Sequence, residues 1–211
     1  MATKPITKTI KAIEDWMIGV EATISSQASY TSYSSSETVP ILTSLRTVVR
    51  SSSLQCGSLE LVVRATELLL QVTGGLYGPE VSSLLAEVLE GVLSGFLSLF
   101  SESPGNSYRN LNSRVLELLD QCGEQETGSQ AELLLGASGP LLSTVTNTNL
   151  PGWLRSSWLK AINSLMVGRG RKVARKRLWL ELGARVEGVV DYLYTCGDYD
   201  VQASVVEFLL R

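Results

Sequence analysis

The sequence predicts an all-helical protein, because three features of the chain favour helices over strands. Apolar residues recur every three or four positions in almost every segment, which is the spacing of one face of an α-helix. Glycine, proline or a capping residue stands at nearly every predicted boundary between these segments. No segment alternates polar and apolar residues for long, so we expect essentially no sheet. About nine helices joined by short turns are typical of an α-solenoid of the HEAT or armadillo type.

A compact helical bundle is the alternative architecture, since we find no sequence repeat of clear fixed period. Several predicted helices are apolar on more than one face. Inner helices that are sandwiched between neighbours in a solenoid show this pattern, so we expect a solenoid with degenerate repeats. Residues 1–211 are expected to form one such domain.

The first helix is predicted from an apolar stripe at helical spacing, with Trp16 beside it. The stripe comprises five residues: Ile10, Ile13, Met17, Val20 and Ile24. The next segment, residues 25–37, lacks periodicity and is rich in serine and tyrosine, which predicts an exposed loop. Thr38 and Pro40 are then predicted to begin the second helix, because proline is favoured in a first helical turn.

Glycine and proline divide the central part of the chain into further helices. Residues 58–72 are predicted to form one helix, and Pro79 is predicted to begin the next, which is long and apolar. Residues 102–110 are predicted to form a turn, and residues 111–122 a short helix that ends at Gly123. The apolar stretches are interrupted by Glu, Ser and Gly before they reach about 18 residues, so no membrane span is predicted.

The C-terminal third is predicted to continue the helical pattern. Residues 129–145 are predicted to form an interrupted helix, and Pro151 to mark the start of the next one. Trp153 and Trp158 follow in that helix, and we expect them to be buried between helices. A docking patch for a partner is the alternative interpretation of this aromatic pair.

The chain ends in an apolar helix. Gly197 is predicted to close the preceding helix, and a carboxylate of Asp198 or Asp200 to cap the beginning of the last one. The last helix stays apolar up to the end of the chain at Arg211, and an apolar helix without a polar exit needs a partner surface to cover it. We therefore expect this sequence to be an N-terminal fragment of a longer protein.

The composition narrows the classes of function. The sequence contains no histidine, which removes the commonest general acid or base and the commonest metal ligand. Its three cysteines, Cys56, Cys122 and Cys196, are far apart and form no CxxC motif, which favours reduced thiols in an intracellular protein. We therefore expect a protein that is not an enzyme and that binds no cofactor or metal.

One segment is a candidate binding site, the basic strip of residues 169–177. It holds six of the 18 lysines and arginines of the chain: Arg169, Arg171, Lys172, Arg175, Lys176 and Arg177. Positive charge at the beginning of a predicted helix opposes the helix dipole, so stability alone would not place it there. Contact with an acidic partner or nucleic acid, a nuclear import signal and a solvated helical face all remain open interpretations.

A resemblance to a known family lies in the turn before the last helix. Gly197, Asp198, Tyr199, Asp200 and Gln202 form a GDY-acidic-x-Q pattern, with the basic strip upstream of it. This combination resembles the N-terminal armadillo-like region of synaptonemal complex protein 2 and its paralogue, synaptonemal complex protein 2-like. The earlier part of the chain agrees with that family only in being helical with a similar order of elements, and its Ser/Tyr-rich loop is a departure.

The resemblance implies a non-enzymatic scaffold of the meiotic chromosome axis, which is the lateral element of the synaptonemal complex in the nucleus. It also implies that this domain engages chromosomal or centromere proteins, while regions outside this sequence pair with synaptonemal complex protein 3. The residues themselves leave a second function open, a nucleic-acid-binding helical domain that uses the basic strip. No contact with a membrane is expected.

Overall fold

The computed structural model describes residues 3–26, 34–73, 79–102, 105, 108–124, 139–140, 142–145, 147, 149–166, 180, 183, 186–197 and 199–210. Eight helices are delimited in this part of the chain: α1 (Thr3–Ser25), α2 (Ser35–Val49), α3 (Cys56–Thr73), α4 (Pro79–Glu102), α5 (Tyr108–Glu124), α6 (Gly152–Met166), α7 (Val186–Thr195) and α8 (Tyr199–Leu210). Residues 139–140 and 142–145 are also helical. No described residue belongs to a strand, and the prediction of an all-α protein is confirmed.

Helix α2 begins at Ser35, earlier than predicted, so residues 35–37 do not belong to the expected exposed loop. The Glu37 carboxylate accepts hydrogen bonds from the Ser34 backbone N–H at 2.9 Å and from the Ser34 hydroxyl at 2.7 Å. These bonds hold the first turn together and lower the pKa of Glu37. Pro40 therefore lies inside the helix, and residues 27–33 of the expected loop lie outside the described residues.

Helix α5 is longer than predicted at both ends. It begins at Tyr108, within the segment that was expected to be a turn, and it continues through Gly123 to Glu124. The Tyr108 ring packs edge-on against Phe100, with ring centroids 5.8 Å apart, and the Tyr108 backbone N–H donates to the Gly105 carbonyl at 3.3 Å. Tertiary packing of this ring therefore extends the helix beyond the point that local sequence signals suggest.

Helices α1, α3, α5 and α6 form a row in which each helix contacts the next, and α2 contacts α4 beside this row. The extensive contacts between described helices join two kinds of pair. The helices of a pair are either consecutive among the described helices or have one described helix between them. Partly exposed ion pairs link α1 to α3 through Glu21 and Arg64, at 2.5 Å, and α3 to α5 through Glu67 and Arg114, at 2.6 Å. Pairs of this kind stabilise the contact between adjacent helices only modestly, by about 0–1 kcal/mol.

Helix α4 is the central element of the core and packs against α2, α3 and α5. Five of its apolar side chains are inaccessible to solvent: Leu85, Val88, Val92, Leu93 and Phe96. Gly91 and Gly95 lie one turn apart on a face where neighbours approach closely. A Cβ atom on Gly91 would lie 2.9 Å from the Val49 Cβ of α2, and one on Gly95 would lie 2.5 Å from Leu54 Cδ2. The absence of a side chain at these two glycines therefore sets the distance between α4 and its neighbours.

Residues Glu80–Glu102 of α4 form a helix that is long and apolar enough to cross a membrane by composition alone, contrary to our expectation that no apolar stretch reaches this length. In the structure, 50% of the most apolar window of α4 is buried inside the protein. Core helices of folded domains have the same composition, and α4 has the contacts of such a helix.

An aromatic cluster joins α4, α5 and α6. Five rings take part in it: Phe96, Phe100, Tyr108, Trp153 and Trp158. The Trp158 side chain is fully buried, and its Nε1–H donates to Asn112 Oδ1 of α5 at 2.6 Å. The Trp153 ring is half-buried, and the guanidinium of Arg109 lies over it at 5.1 Å from the ring centroid. Packing between helices, as predicted, thus accounts for both tryptophans.

Helices α7 and α8 form a helical hairpin that packs on α6 through α8. Gly197 has a φ of 62°, the left-handed conformation that commonly follows the end of a helix, which confirms its predicted position after α7. The Gln202 amide donates to the Leu193 carbonyl at 3.1 Å and links the beginning of α8 to the end of α7. The Asn163 amide of α6 donates to the Ser204 carbonyl at 3.0 Å, while Val201 is completely buried.

Candidate functional site

The basic strip predicted as a binding site lies outside the described residues. All six of its charged members are in that gap: Arg169, Arg171, Lys172, Arg175, Lys176 and Arg177. Helix α6 ends before the strip, and α7 begins after it. The contact, import-signal and solvated-face interpretations of the strip therefore remain predictions from the sequence.

The structure contains a different candidate site, an open groove of about 400 Å³ between α5 and α6. Seven residues line this groove: Leu116, Glu117, Leu119, Asp120, Ser157, Lys160 and Ala161. The floor is apolar, with Leu119 buried and Leu116 and Ala161 half-buried. The charged side chains of the rim are exposed. An apolar floor with a charged rim suits an apolar side chain that arrives on a polar segment.

The groove follows from the spacing of residues on its two helices. Leu116, Leu119 and Asp120 of α5 are separated by three and four positions and therefore lie on one helical face. Ser157, Lys160 and Ala161 have the same spacing on α6. Ser157 and Ala161 lie one turn apart, and their short side chains leave space where larger residues would fill the gap.

The distance between the two walls of the groove is fixed by buried polar contacts at one end. Asn112 lies on α5 one turn before Leu116 and is almost completely buried. Its side-chain oxygen accepts from Trp158 Nε1, and its amide nitrogen donates to Ser157 Oγ at 3.3 Å. Because an unpaired buried polar group is costly, these contacts strongly favour one spacing of α5 and α6. The groove is therefore formed before any partner arrives.

The thiol of Cys56 is not activated as a nucleophile. Burial and the nearby Glu60 carboxylate raise the pKa of the Cys56 thiol, and its Sγ donates to Glu60 Oε1 at 3.8 Å. A thiol with a raised pKa stays protonated near neutral pH and reacts poorly. Within the described ranges, no group of three or more Cys, Asp or Glu side chains is arranged to hold a metal ion.

Two small residues on α6 mark the position of the groove in the sequence. Ser157 and Ala161 are small residues one turn apart in a helix that also carries two large tryptophans. The change from large to small side chains indicates a face of the helix that leaves space beside it. The signal becomes specific only when the partner helix is known, because the same pair also occurs where two helices pack closely.

Comparisons with protein-family models, curated proteins and solved structures give no match to this chain.

Proposed function

We propose that this domain is a non-enzymatic protein-interaction scaffold that binds a segment of a partner protein in the groove between α5 and α6. The observation that carries this proposal is the groove itself, a preformed apolar floor of about 400 Å³ with Glu117, Asp120 and Lys160 at its rim. A short helix or extended segment that presents one apolar anchor fits such a site, and polar groups beside that anchor would contact the rim.

The contacts between helices support an α-solenoid as the scaffold. In a solenoid each repeat contacts only its neighbours, so contacts join elements that are close in the chain. The row α1, α3, α5 and α6, with α2 and α4 beside it, has this character. A solenoid exposes the grooves between successive helices of one row, and α5 and α6 are successive helices of that kind. We therefore favour a HEAT- or armadillo-like arrangement over a compact bundle.

The biological setting we propose comes from the turn after α7. The Gly197–Gln202 pattern resembles synaptonemal complex protein 2, and a domain of that kind would serve the meiotic chromosome axis in the nucleus. The partner in the groove would then be a chromosomal or centromere protein, and synaptonemal complex protein 3 would bind elsewhere in the longer protein.

Paired alanine substitutions test the groove. Ala161→Glu adds a long carboxylate to the floor beside Glu117 and Asp120, while Ala12→Glu makes the same change on an exposed face of α1. Both proteins are used as bait in an extract of meiotic cells, and the captured proteins are quantified by mass spectrometry. We expect Ala161→Glu to reduce recovery of a defined protein by about tenfold or more, equivalent to 1.4 kcal/mol, with no loss for Ala12→Glu. The same captured set with both variants would contradict the proposal.

The sequence-based alternative is a nucleic-acid-binding domain that uses the basic strip. Neutralisation of about five phosphates should give a slope of log affinity against log salt near −4 to −5 on duplex DNA. Replacement of Lys172, Arg175, Lys176 and Arg177 by Glu should abolish such binding and leave the melting temperature unchanged. If this variant loses binding to DNA while Ala161→Glu binds normally in every assay, the alternative replaces the groove proposal.

A further inference from the structure

Two tyrosines on the α7–α8 hairpin are much more exposed than the other described aromatic residues. The exposed fraction is 79% for Tyr194 and 81% for Tyr199, whereas Trp16, Tyr108 and Trp153 are half-buried. The two tyrosines flank the short turn that contains Gly197, and the bond from Gln202 to Leu193 holds their helix ends together. Rings that are exposed to this degree contribute little to folding and are accessible to a partner.

Carboxylates accompany Tyr194 along one side of α7. Glu187, Asp191 and Tyr194 are separated by four and three positions on α7, which places them along one side of that helix, and all three are exposed. Tyr199 begins α8 at the same end of the hairpin. We refer to Glu187, Asp191, Tyr194 and Tyr199 as the acidic tyrosine face.

The described charged residues of α7 and α8 are all acidic. Residues 186–210 contain five acidic residues and no lysine, arginine or histidine. The charge on these two helices therefore favours a cationic partner over nucleic acid or anionic lipid. Acidic charge alone would attract any cationic group, but the two tyrosine rings favour a cation that can stack on an aromatic ring.

We propose that the acidic tyrosine face binds an arginine-rich segment of a partner protein. A guanidinium is planar and weakly hydrated, so it can stack on a tyrosine ring while its N–H groups donate to a neighbouring carboxylate. A lysine ammonium is compact and strongly hydrated, so it gains less from the ring. The protein already contains one contact between a guanidinium and an aromatic ring, because the Arg109 guanidinium lies over the Trp153 ring.

The acidic tyrosine face is separate from the groove between α5 and α6, and the two sites share no residue. The inference therefore goes beyond the proposed function and does not depend on it. A protein with Ala161→Glu in the groove should bind arginine-rich peptide as tightly as the wild type. Failure of one proposal thus leaves the other intact.

Two fluorescent peptides test the proposal with the purified 211-residue chain. They share one glycine-serine spacer sequence and carry six basic residues, all arginine in one peptide and all lysine in the other. Fluorescence anisotropy should give a dissociation constant about fivefold lower or more for the arginine peptide, because the rings discriminate between the two cations. The Tyr194→Ala/Tyr199→Ala protein should lose this difference and bind the arginine peptide about tenfold more weakly.

Matched variants separate the rings from general acidity. Tyr194→Phe/Tyr199→Phe keeps both rings and should bind as the wild type does. Glu187→Gln/Asp191→Asn should weaken binding, whereas Glu14→Gln/Asp15→Asn removes the same charge from exposed positions of α1 and should change it little. Melting curves identify any variant that fails to fold. If the double alanine variant does not fold, Tyr194→Phe/Tyr199→Phe and Glu187→Gln/Asp191→Asn still test the proposal.

Three results would overturn the proposal. Equal affinity for the two peptides would show that the face is only an acidic surface. An equal loss in the α1 control would locate binding in the overall charge of the protein. Concentration-dependent self-association that the tyrosine variants abolish would show that a second copy of the chain covers the face instead of an arginine-rich partner.

Discussion

Helices α4 and α8 are both predominantly apolar, yet they occupy different environments. Helix α4 packs against three helices, and its Phe96 side chain is fully buried among other rings. Helix α8 packs against α6 and α7, and it buries Val201 and Val205 completely while Val206 remains 43% exposed. The number of neighbouring helices, which apolar content does not reveal, therefore decides how much of an apolar helix is buried in the core and how much remains exposed.

The largest effect should come from truncation of a ring in α4. Phe96→Ala removes a fully buried side chain that contacts Phe100, Tyr108 and Trp158, so we expect a loss of about 3–5 kcal/mol in the free energy of unfolding. Val206→Ala in α8 should change it by no more than about 0.5 kcal/mol. Chemical denaturation of both variants measures the contrast, and equal losses would show that Val206 is buried as completely as Phe96.

The next largest effect concerns two hydrogen bonds, one between α5 and α6 in the core and one between α7 and α8 in the hairpin. Asn112→Ala leaves the buried Trp158 Nε1–H without its acceptor, at a cost of about 1–3 kcal/mol. Gln202→Ala removes the half-buried bond between α7 and α8, which should cost about 0.5–1.5 kcal/mol. Denaturation midpoints compare the two variants. A larger loss of stability for Gln202→Ala than for Asn112→Ala would contradict the expectation that the buried hydrogen bond of the core contributes more than the bond in the hairpin.

A pair of glycine substitutions tests the close approach of α2 and α4. Gly91→Ala would push a methyl group against Val49, and we expect overpacking to destabilise the protein by about 1 kcal/mol or more despite the higher helix propensity of alanine. Gly19→Ala in α1 meets no atom within 4 Å and should stabilise by about 0.5–1 kcal/mol. Thermal melts of the two proteins should move in opposite directions. A stabilised Gly91→Ala protein would mean that α2 and α4 are not closely packed.

The smallest effect is the pH dependence of the first turn of α2. Hydrogen bonds from Ser34 lower the pKa of Glu37 in the folded state. The contribution of Glu37 is therefore present above its unfolded pKa, which is about 4.3, and it is lost as the pH falls through the lowered value. Glu37→Gln should reduce the melting temperature at pH 7 more than at pH 2. An equal reduction at both pH values would show that the carboxylate charge has no part in the cap.

Local patterns predicted much of the fold but failed where a feature depended on tertiary neighbours. The stripe residues Ile13, Met17 and Val20 are buried as the spacing indicates. Ile24, the last member of the same stripe, is 40% exposed. Periodicity identifies the face of a helix but cannot show how far along the helix its neighbours extend.

The beginning of α2 was predictable, whereas the groove was not. Ser34 and Glu37 form the S-x-x-E pattern of a capping box, but the run of serines around them favoured the interpretation as a loop. The groove depends on which face of α5 meets which face of α6, and Asn112 and Trp158 fix that pairing over a separation of 46 residues. Sequence spacing supplies the two faces separately and gives no indication that they are paired.

The central claim is that a partner protein binds in the groove between α5 and α6, and photo-crosslinking from its rim tests that claim most directly. A crosslinking amino acid replaces Lys160 at the groove or, as a control, the exposed Lys8 of α1. In extract from meiotic cells, we predict a discrete protein adduct from position 160, its absence from position 8, and its loss when Ala161→Glu is added. Identical adducts from both positions, or an adduct from position 160 that persists with Ala161→Glu, would contradict the claim.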